Sequence, residues 1–316
     1  MGYSLPRRPR APRLAACGVV LALTGMSCLV IGLASAPVSG AATKIVAIGA
    51  ENEYANVLSQ IGGKYVAVDS ILNNPNTDPH TFEASASVAE EIAGAQLIVQ
   101  NGAGYDGFMD NIEAAASNSA RKVIVVQHVL DLRATTPNPH LWYKPTTMPK
   151  VAAVMAQDLG TLEPAHKAYF AANLEKFDAS LQPWLRAIAA FKAKYPHTPV
   201  AVTEPVADYL LRAMGATILT PYVFQADIMN GVDPSPEDVS LEDEFFTKHQ
   251  VKLFCYNEQV VDALTASIRQ SAIGARVPVV GVYETMPAGY DYQTWMMAEL
   301  TAIERAITSH RSTQKL

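Results

Sequence analysis

The chain has 316 residues, 49% hydrophobic and 17% charged, with 18 Gly and 20 Pro, which suffices for two folded domains and excludes a disordered or low-complexity chain. The formal net charge is −6, but four of the 24 basic residues and none of the 30 acidic ones lie in residues 1–41, so the remainder carries 20 basic against 30 acidic groups, net −10. A duplex binder needs a basic face to release phosphate counterions, and no Lys/Arg cluster follows Arg13, so no nucleic-acid partner is expected.

Residues 1–41 have the layout of an export signal. Arg7, Arg8, Arg10 and Arg13 precede an apolar run from Leu14 to Ala34, and Ser35 to Ala42 is small and polar enough for processing. Three outcomes stay open. One is cleavage after Ala41, another is lipidation at Cys28 within the lipobox-like Gly25-Met26-Ser27-Cys28, and the third is a retained anchor, since 21 apolar residues can span a bilayer. The twin arginines lack the apolar residues that follow them in a Tat signal, so the Sec route is expected. Only Cys255 lies beyond this region, in the apolar run Val251–Tyr256; the sequence predicts a buried strand cysteine and no internal disulfide.

After the signal, short β-branched runs alternate with helical patterns, the signature of a parallel α/β architecture. Strands are predicted near 44–49, 65–72, 96–100, 122–126, 198–203, 216–220, 251–257 and 278–283. The alternation is interrupted at 146–194, which is helical twice in succession. From Pro164 to Lys194 the apolar residues Tyr169, Phe170, Leu174, Phe177, Leu181, Trp184, Leu185 and Ile188 recur at threes and fours, describing one long amphipathic helix. Pro183 inside it is expected to bend it. The division that follows is an N-terminal α/β lobe over 42–162, a linking helix over 163–195 and a C-terminal α/β lobe over 196–316.

Ligands of open parallel sheets bind outside the carboxyl ends of the strands, so polar residues just past the strands are the first candidates. Four stand out. His80 lies in Asp78-Pro79-His80-Thr81-Phe82-Glu83 and His140 in Asn138-Pro139-His140-Leu141-Trp142, while Glu204 and Glu284 each directly follow a strand. Two imidazoles and two carboxylates converging on a cleft suit a divalent transition metal, and the proline before each histidine fixes its turn. His128, His166, His197, His249 and His310 share neither context and are expected at the surface.

These motifs resemble the metal-binding lipoproteins that serve zinc and manganese ABC importers. Asp78–Glu83, followed by Ala93–Gly102, is similar to the first ligand motif of that family, and Asn138–Trp142 to the second, with Asn138 in place of the usual Asp. Thr203-Glu204 with Tyr209 resembles the third motif, in which the family has His or Glu. Glu284 stands where Asp is usual in the fourth, before the Tyr- and Met-rich segment Tyr292–Met297. The resemblance spans about residues 44–309. It implies a cluster A solute-binding fold, two lobes joined by a stiff helix, with His80, His140, Glu204 and Glu284 as metal ligands. Glu83 and Asn138 are expected to hold the histidine N–H groups.

The implied function is extracytoplasmic capture of Zn²⁺ or Mn²⁺, with Fe²⁺ compatible, by a monomer that delivers the ion to a membrane permease. Binding would be ligation without catalysis. Two other readings stay open: a secreted metal-dependent hydrolase, since two His and a carboxylate also make a catalytic zinc set, and a surface adhesin on the same fold. No His-Glu-x-x-His motif, Gly-x-Ser-x-Gly elbow or phosphate-cradling glycine loop supports an enzyme.

Overall fold

In the computed structural model residues 44–316 are described; the expected signal, with Cys28 and the bond after Ala41, lies outside the described residues. The N-terminal half runs β1 (Ile45–Glu51), α1 (Asn52–Gly62), β2 (Val66–Leu72), α2 (Ala86–Gly94), β3 (Leu97–Gln100), α3 (Gly107–Ala115), β4 (Lys122–Val125) and the short α4 (Val126–Val129). Two helices follow without a strand between them, α5 (Thr147–Leu162) and α6 (Lys167–Lys194). The C-terminal half continues with β5 (Pro199–Val202), α7 (Asp208–Ala213), β6 (Thr217–Ile218), α8 (Tyr222–Met229), α9 (Pro236–Thr247), β7 (Phe254–Asn257), α10 (Ala263–Gly274), β8 (Val279–Val282) and α11 (Tyr292–Ser309).

Each half forms one four-stranded parallel sheet, ordered β2-β1-β3-β4 in the first lobe and β6-β5-β7-β8 in the second. The two orders are the same pattern. In each lobe the direction of strand addition reverses between the two central strands, β1 and β3 or β5 and β7, and such a switch point opens a crevice at the strands' carboxyl ends. Their inner residues, such as Leu97, Val99, Val200 and Val280, are fully buried because helices cover both faces. β6 is shorter than its β-branched run suggests. It pairs only with Pro199 and Val200, and Thr220 then turns its hydroxyl inward to accept from the Val202 N–H at 3.0 Å.

The long helix begins three residues later than its apolar spacing predicts. Pro164–His166 form a separate 3-10 turn, and α6 starts at Lys167. Its 28 residues extend about 42 Å at about 1.5 Å each. The helix runs through Pro183, whose neighbours Leu181 and Trp184 are buried, so packing offsets the missing backbone bond. Asn173 ties it to the first lobe through the Ile61 carbonyl at 3.0 Å, and Ser180 ties it to the second through Gln293 of α11 at 2.7 Å. One hydrophobic cluster extends from Tyr54 and Trp142 through Phe177 and Leu181 to Trp295 and Ile303, so the lobes share a core instead of meeting at a bare hinge.

β8 is not a free edge. Thr313 bridges to Val280, its carbonyl accepts from the Gly281 N–H at 2.9 Å, and its own N–H reaches Val279 O at 3.0 Å. A Cβ at position 281 would lie 2.2 Å from the Gln314 carbonyl oxygen, so this approach requires glycine. Among the described residues no helix is long and apolar enough to cross a membrane.

Because Leu181 is fully buried in the core shared by both lobes, Leu181→Ala should cost about 2–5 kcal/mol. Chemical denaturation should show the loss as a single lowered midpoint.

Candidate metal centre

His80 sits on a 3-10 turn, Pro79–Thr81, just past β2. The Asp78 side chain caps this turn, Oδ1 accepting from the His80 backbone N–H at 2.8 Å, and Pro79 is buried beneath it. The imidazole keeps 25% of its surface exposed and its Nε2 lies 3.2 Å from Glu284 Oε2. His140 is fully buried, and its Nε2 lies 3.2 Å from the same oxygen. A ligand atom from each of His80, His140 and Glu284 falls within 4.8 Å of the others, the one such group found among the described residues. Glu204, the fourth candidate, is buried just outside this group. Its Oε2 accepts from Asn257 Nδ2 at 3.3 Å, and the same amide nitrogen donates to Glu284 Oε1 at 2.5 Å.

The loop of His140 is held by both lobes. Asn138 Oδ1 accepts from the His140 backbone N–H and from ring Nδ1, both at 2.9 Å. The same side chain donates through Nδ2 to Pro205 O at 2.7 Å, which fixes its orientation. Asn101 Nδ2 holds the Pro139 carbonyl at 2.8 Å, and the Tyr209 hydroxyl donates to Asn138 O at 3.0 Å. With its proton on Nδ1, His140 turns the Nε2 lone pair toward the centre.

Charge follows from this geometry. Burial disfavours an ionised Glu284, but the imidazoles facing its Oε2, of which His80 carries the proton, outweigh it and hold the carboxyl well below the usual range. Burial likewise opposes charge on His80, yet Glu284, with Glu204 and Asp78, raises its pKa to about 9. In His140 burial prevails over Glu284 and lowers the pKa, so this ring stays neutral. Glu204 is pushed well above its ordinary value by burial and by the charge of Glu284. The metal-free centre therefore holds one ion pair, His80 with Glu284. Its stabilisation is full below the ordinary histidine value and fades as pH rises through about 9.

The donor set fits a divalent cation. The His140 Nε2 lone pair and Glu284 Oε2 are two acceptors 3.2 Å apart, and Glu204 Oε1 is buried with no hydrogen-bond partner. A positive ion between them satisfies all three atoms.

Several contributors escaped the sequence reading. Tyr105 OH donates to Glu284 Oε2 at 2.9 Å and flanks both imidazoles, at 5.5 Å from His80 and 5.9 Å from His140. The Gly102-Ala103-Gly104 loop presents it, all three residues with left-handed φ of 73°, 54° and 81°, anchored by Asp106 accepting from the Asn101 and Gly102 N–H groups. Gln259 Oε1 accepts from the Glu284 and Thr285 N–H groups at 2.7 and 2.8 Å, and its Nε2 crosses to Thr77 O of the first lobe at 2.8 Å. The rule about strand ends would have found Asn257, had amides been considered beside His and carboxylates.

One expectation is corrected. Glu83 is exposed and no hydrogen bond joins it to an imidazole; Phe82 packs on Phe108 at 4.9 Å, which leaves the next side chain facing outward. Asn138 does hold the His140 N–H. His128, His197, His249 and His310 are exposed, and His166 stacks on Tyr65 at 3.6 Å, away from the centre. Cys255 is a buried free thiol in β7, its pKa pushed up by burial, and plays no part here.

Comparison with known proteins places these observations. The family of the zinc-uptake complex component A, periplasmic, matches residues 50–306. A putative metal-binding protein of Treponema pallidum is 24% identical over 310 residues, covering 92% of this chain and 96% of that one. Among solved structures, the periplasmic zinc-binding protein TroA of Treponema pallidum shares the fold with a TM-score of 0.70 at 17% identity, over 84% of this chain and 99% of that one. The solute-binding protein FpvC of Pseudomonas aeruginosa, solved with Mn²⁺, gives 0.68 at 22% identity, over 85% and 99%.

Two predictions follow from the centre. Since His80 holds its proton up to about pH 9 and Glu204 is raised as well, metal capture near pH 7.5 should release at least one proton, and affinity should rise at least about tenfold per pH unit between 6.5 and 8.5. Titration calorimetry in buffers of different ionisation enthalpy reads the proton count. Asn138→Ala, which frees the His140 ring, should weaken metal binding by about 10–100-fold, as competition with a chromophoric chelator would measure.

Proposed function

Because the chain belongs to the periplasmic zinc-uptake complex component A family, we propose that it captures a divalent transition metal outside the cytoplasm and delivers it to the permease of an ABC importer. Proteins of this family are substrate-binding components, not enzymes, and the metal is cargo. The observation that carries the reading is the facing pair of acceptors, His140 Nε2 and Glu284 Oε2, 3.2 Å apart in a buried centre. His80, His140 and Glu284 would hold the ion, with Glu204 as fourth ligand through its unpartnered oxygen. The His and carboxylate donors suit Zn²⁺ and Mn²⁺, with Fe²⁺ compatible.

The proposal extends to the whole chain. Residues 1–41 direct export and are removed after Ala41, lipidated at Cys28 or retained as an anchor. The mature protein works as a monomer, with lobes at 42–162 and 196–316 and the linking helix at 163–195. The two repeated sheets and the position of α6 support this division.

The test is metal analysis of protein purified from its native compartment, followed by melting with and without added ion. One ion per chain is expected, with a stability gain of about 2.7 kcal/mol at free metal one hundred times the Kd. His140→Ala should abolish the gain. A melting temperature unmoved by Zn²⁺, Mn²⁺ and Fe²⁺ would overturn the reading.

A further inference from the structure

Asn257 ends β7, and Glu204 lies just past the end of β5, the neighbouring strand across the switch point of the second sheet. Both side chains therefore open on one crevice. Asn257 is only 1% exposed, so its amide has no access to solvent for its hydrogen bonds. The Gln259 N–H donates to its Oδ1 at 3.0 Å, which identifies the amide oxygen and turns Nδ2 the other way. That nitrogen has two protons to give. One goes to Glu284 Oε1 at 2.5 Å and the other to Glu204 Oε2 at 3.3 Å.

One oxygen of each carboxylate is thus already engaged. Glu284 is left with Oε2, which faces both imidazoles and accepts from the Tyr105 hydroxyl, and Glu204 with Oε1, which has no partner. For either carboxylate to grip a metal with both oxygens, the oxygen held by Asn257 would have to ligate through its remaining lone pair, weakened as a donor and turned by the fixed N–H, or break that bond and leave a buried N–H unpaired. The donors available without that loss number four, two imidazole nitrogens and one oxygen from each glutamate. Four N and O donors make a tetrahedral zinc set, whereas Mn²⁺ favours more oxygen donors in a larger shell.

We propose that Asn257 is a specificity-determining positioning residue: by tying one oxygen of Glu204 and one of Glu284, it holds both to single-oxygen ligation and biases the centre toward Zn²⁺ over Mn²⁺. This rests on the reading of the centre as a metal site. The amide also separates two carboxylates whose charges repel, as an aspartate at this position would not.

The test compares the full-length wild type with Asn257→Leu, similar in volume but without the donor. Competition titrations with Zn²⁺ and Mn²⁺ should show the ratio of affinities moving toward Mn²⁺ by at least tenfold in the variant. Crystal structures of the wild type loaded with Mn²⁺ should show one oxygen from each glutamate on the metal and the other still on Asn257. An unchanged ratio in a folded variant, or a bidentate glutamate in the loaded wild type, overturns the proposal. If Asn257→Leu does not fold, the loaded wild type decides alone. Failure of the underlying reading looks different, since the wild type would then bind neither ion or His140→Ala would bind both as well as the wild type does.

Discussion

Both lobes converge on a single atom, Glu284 Oε2. Tyr105, His80 and His140 approach it from the first lobe at 2.9, 3.2 and 3.2 Å, while Asn257 of the second holds the other oxygen of the carboxylate. A buried carboxylate is tolerable only with such partners. In the metal-free protein the proton of His80 supplies the positive charge that the centre requires, occupying electrostatically the place that an ion would take. The neutral ring of His140 is the contrast, because it presents a lone pair that a cation would satisfy. Proton and metal would therefore compete for the His80 nitrogen that faces this anionic oxygen.

That convergence depends on the repeated sheet order. Each lobe brings the ends of two central strands to its own crevice, and the shared core around α6 sets the crevices against each other. The two halves use their switch points differently. In the first lobe Asn101 follows β3 and binds the Pro139 carbonyl, so it serves the loop of His140. In the second, Asn257 ends β7 and binds two carboxylates directly. Chemically similar amides at equivalent places thus orient an imidazole in one lobe and acids in the other.

Most of this architecture could be read from the amino-acid order, because β-branched runs mark buried parallel strands and the Pro164–Lys194 spacing marks a helix. The ends were less legible. Whether Thr220 extends β6 or turns inward depends on Val202 and Glu242, which lie about twenty residues away on either side. His80, His140, Glu204 and Glu284 could be singled out as candidates because each lies in a segment beyond a strand and bears a donor. The distances that separate Glu204 from the two histidines arise only when both lobes are assembled. Tyr105 and Gln259 had no local signature, since each acts on Glu284 from across a fold that sequence spacing does not encode. Glu83 misled for the opposite reason: it is close to His80 in sequence, but the preference of Phe82 for the core turns it outward.

The tail along β8 bears on how the metal-free protein waits for its ligand. A terminal strand of a sheet frays easily, because one side has no hydrogen-bonded neighbour, and local opening of this kind has a small free energy. Thr313 gives β8 a second neighbour, so the strand that delivers Glu284 behaves as an interior one. Slow hydrogen exchange at the Gly281 amide would be the signature of that protection. A carboxylate carried on such a strand is already ordered, and little conformational entropy would remain to be lost if it took up an ion.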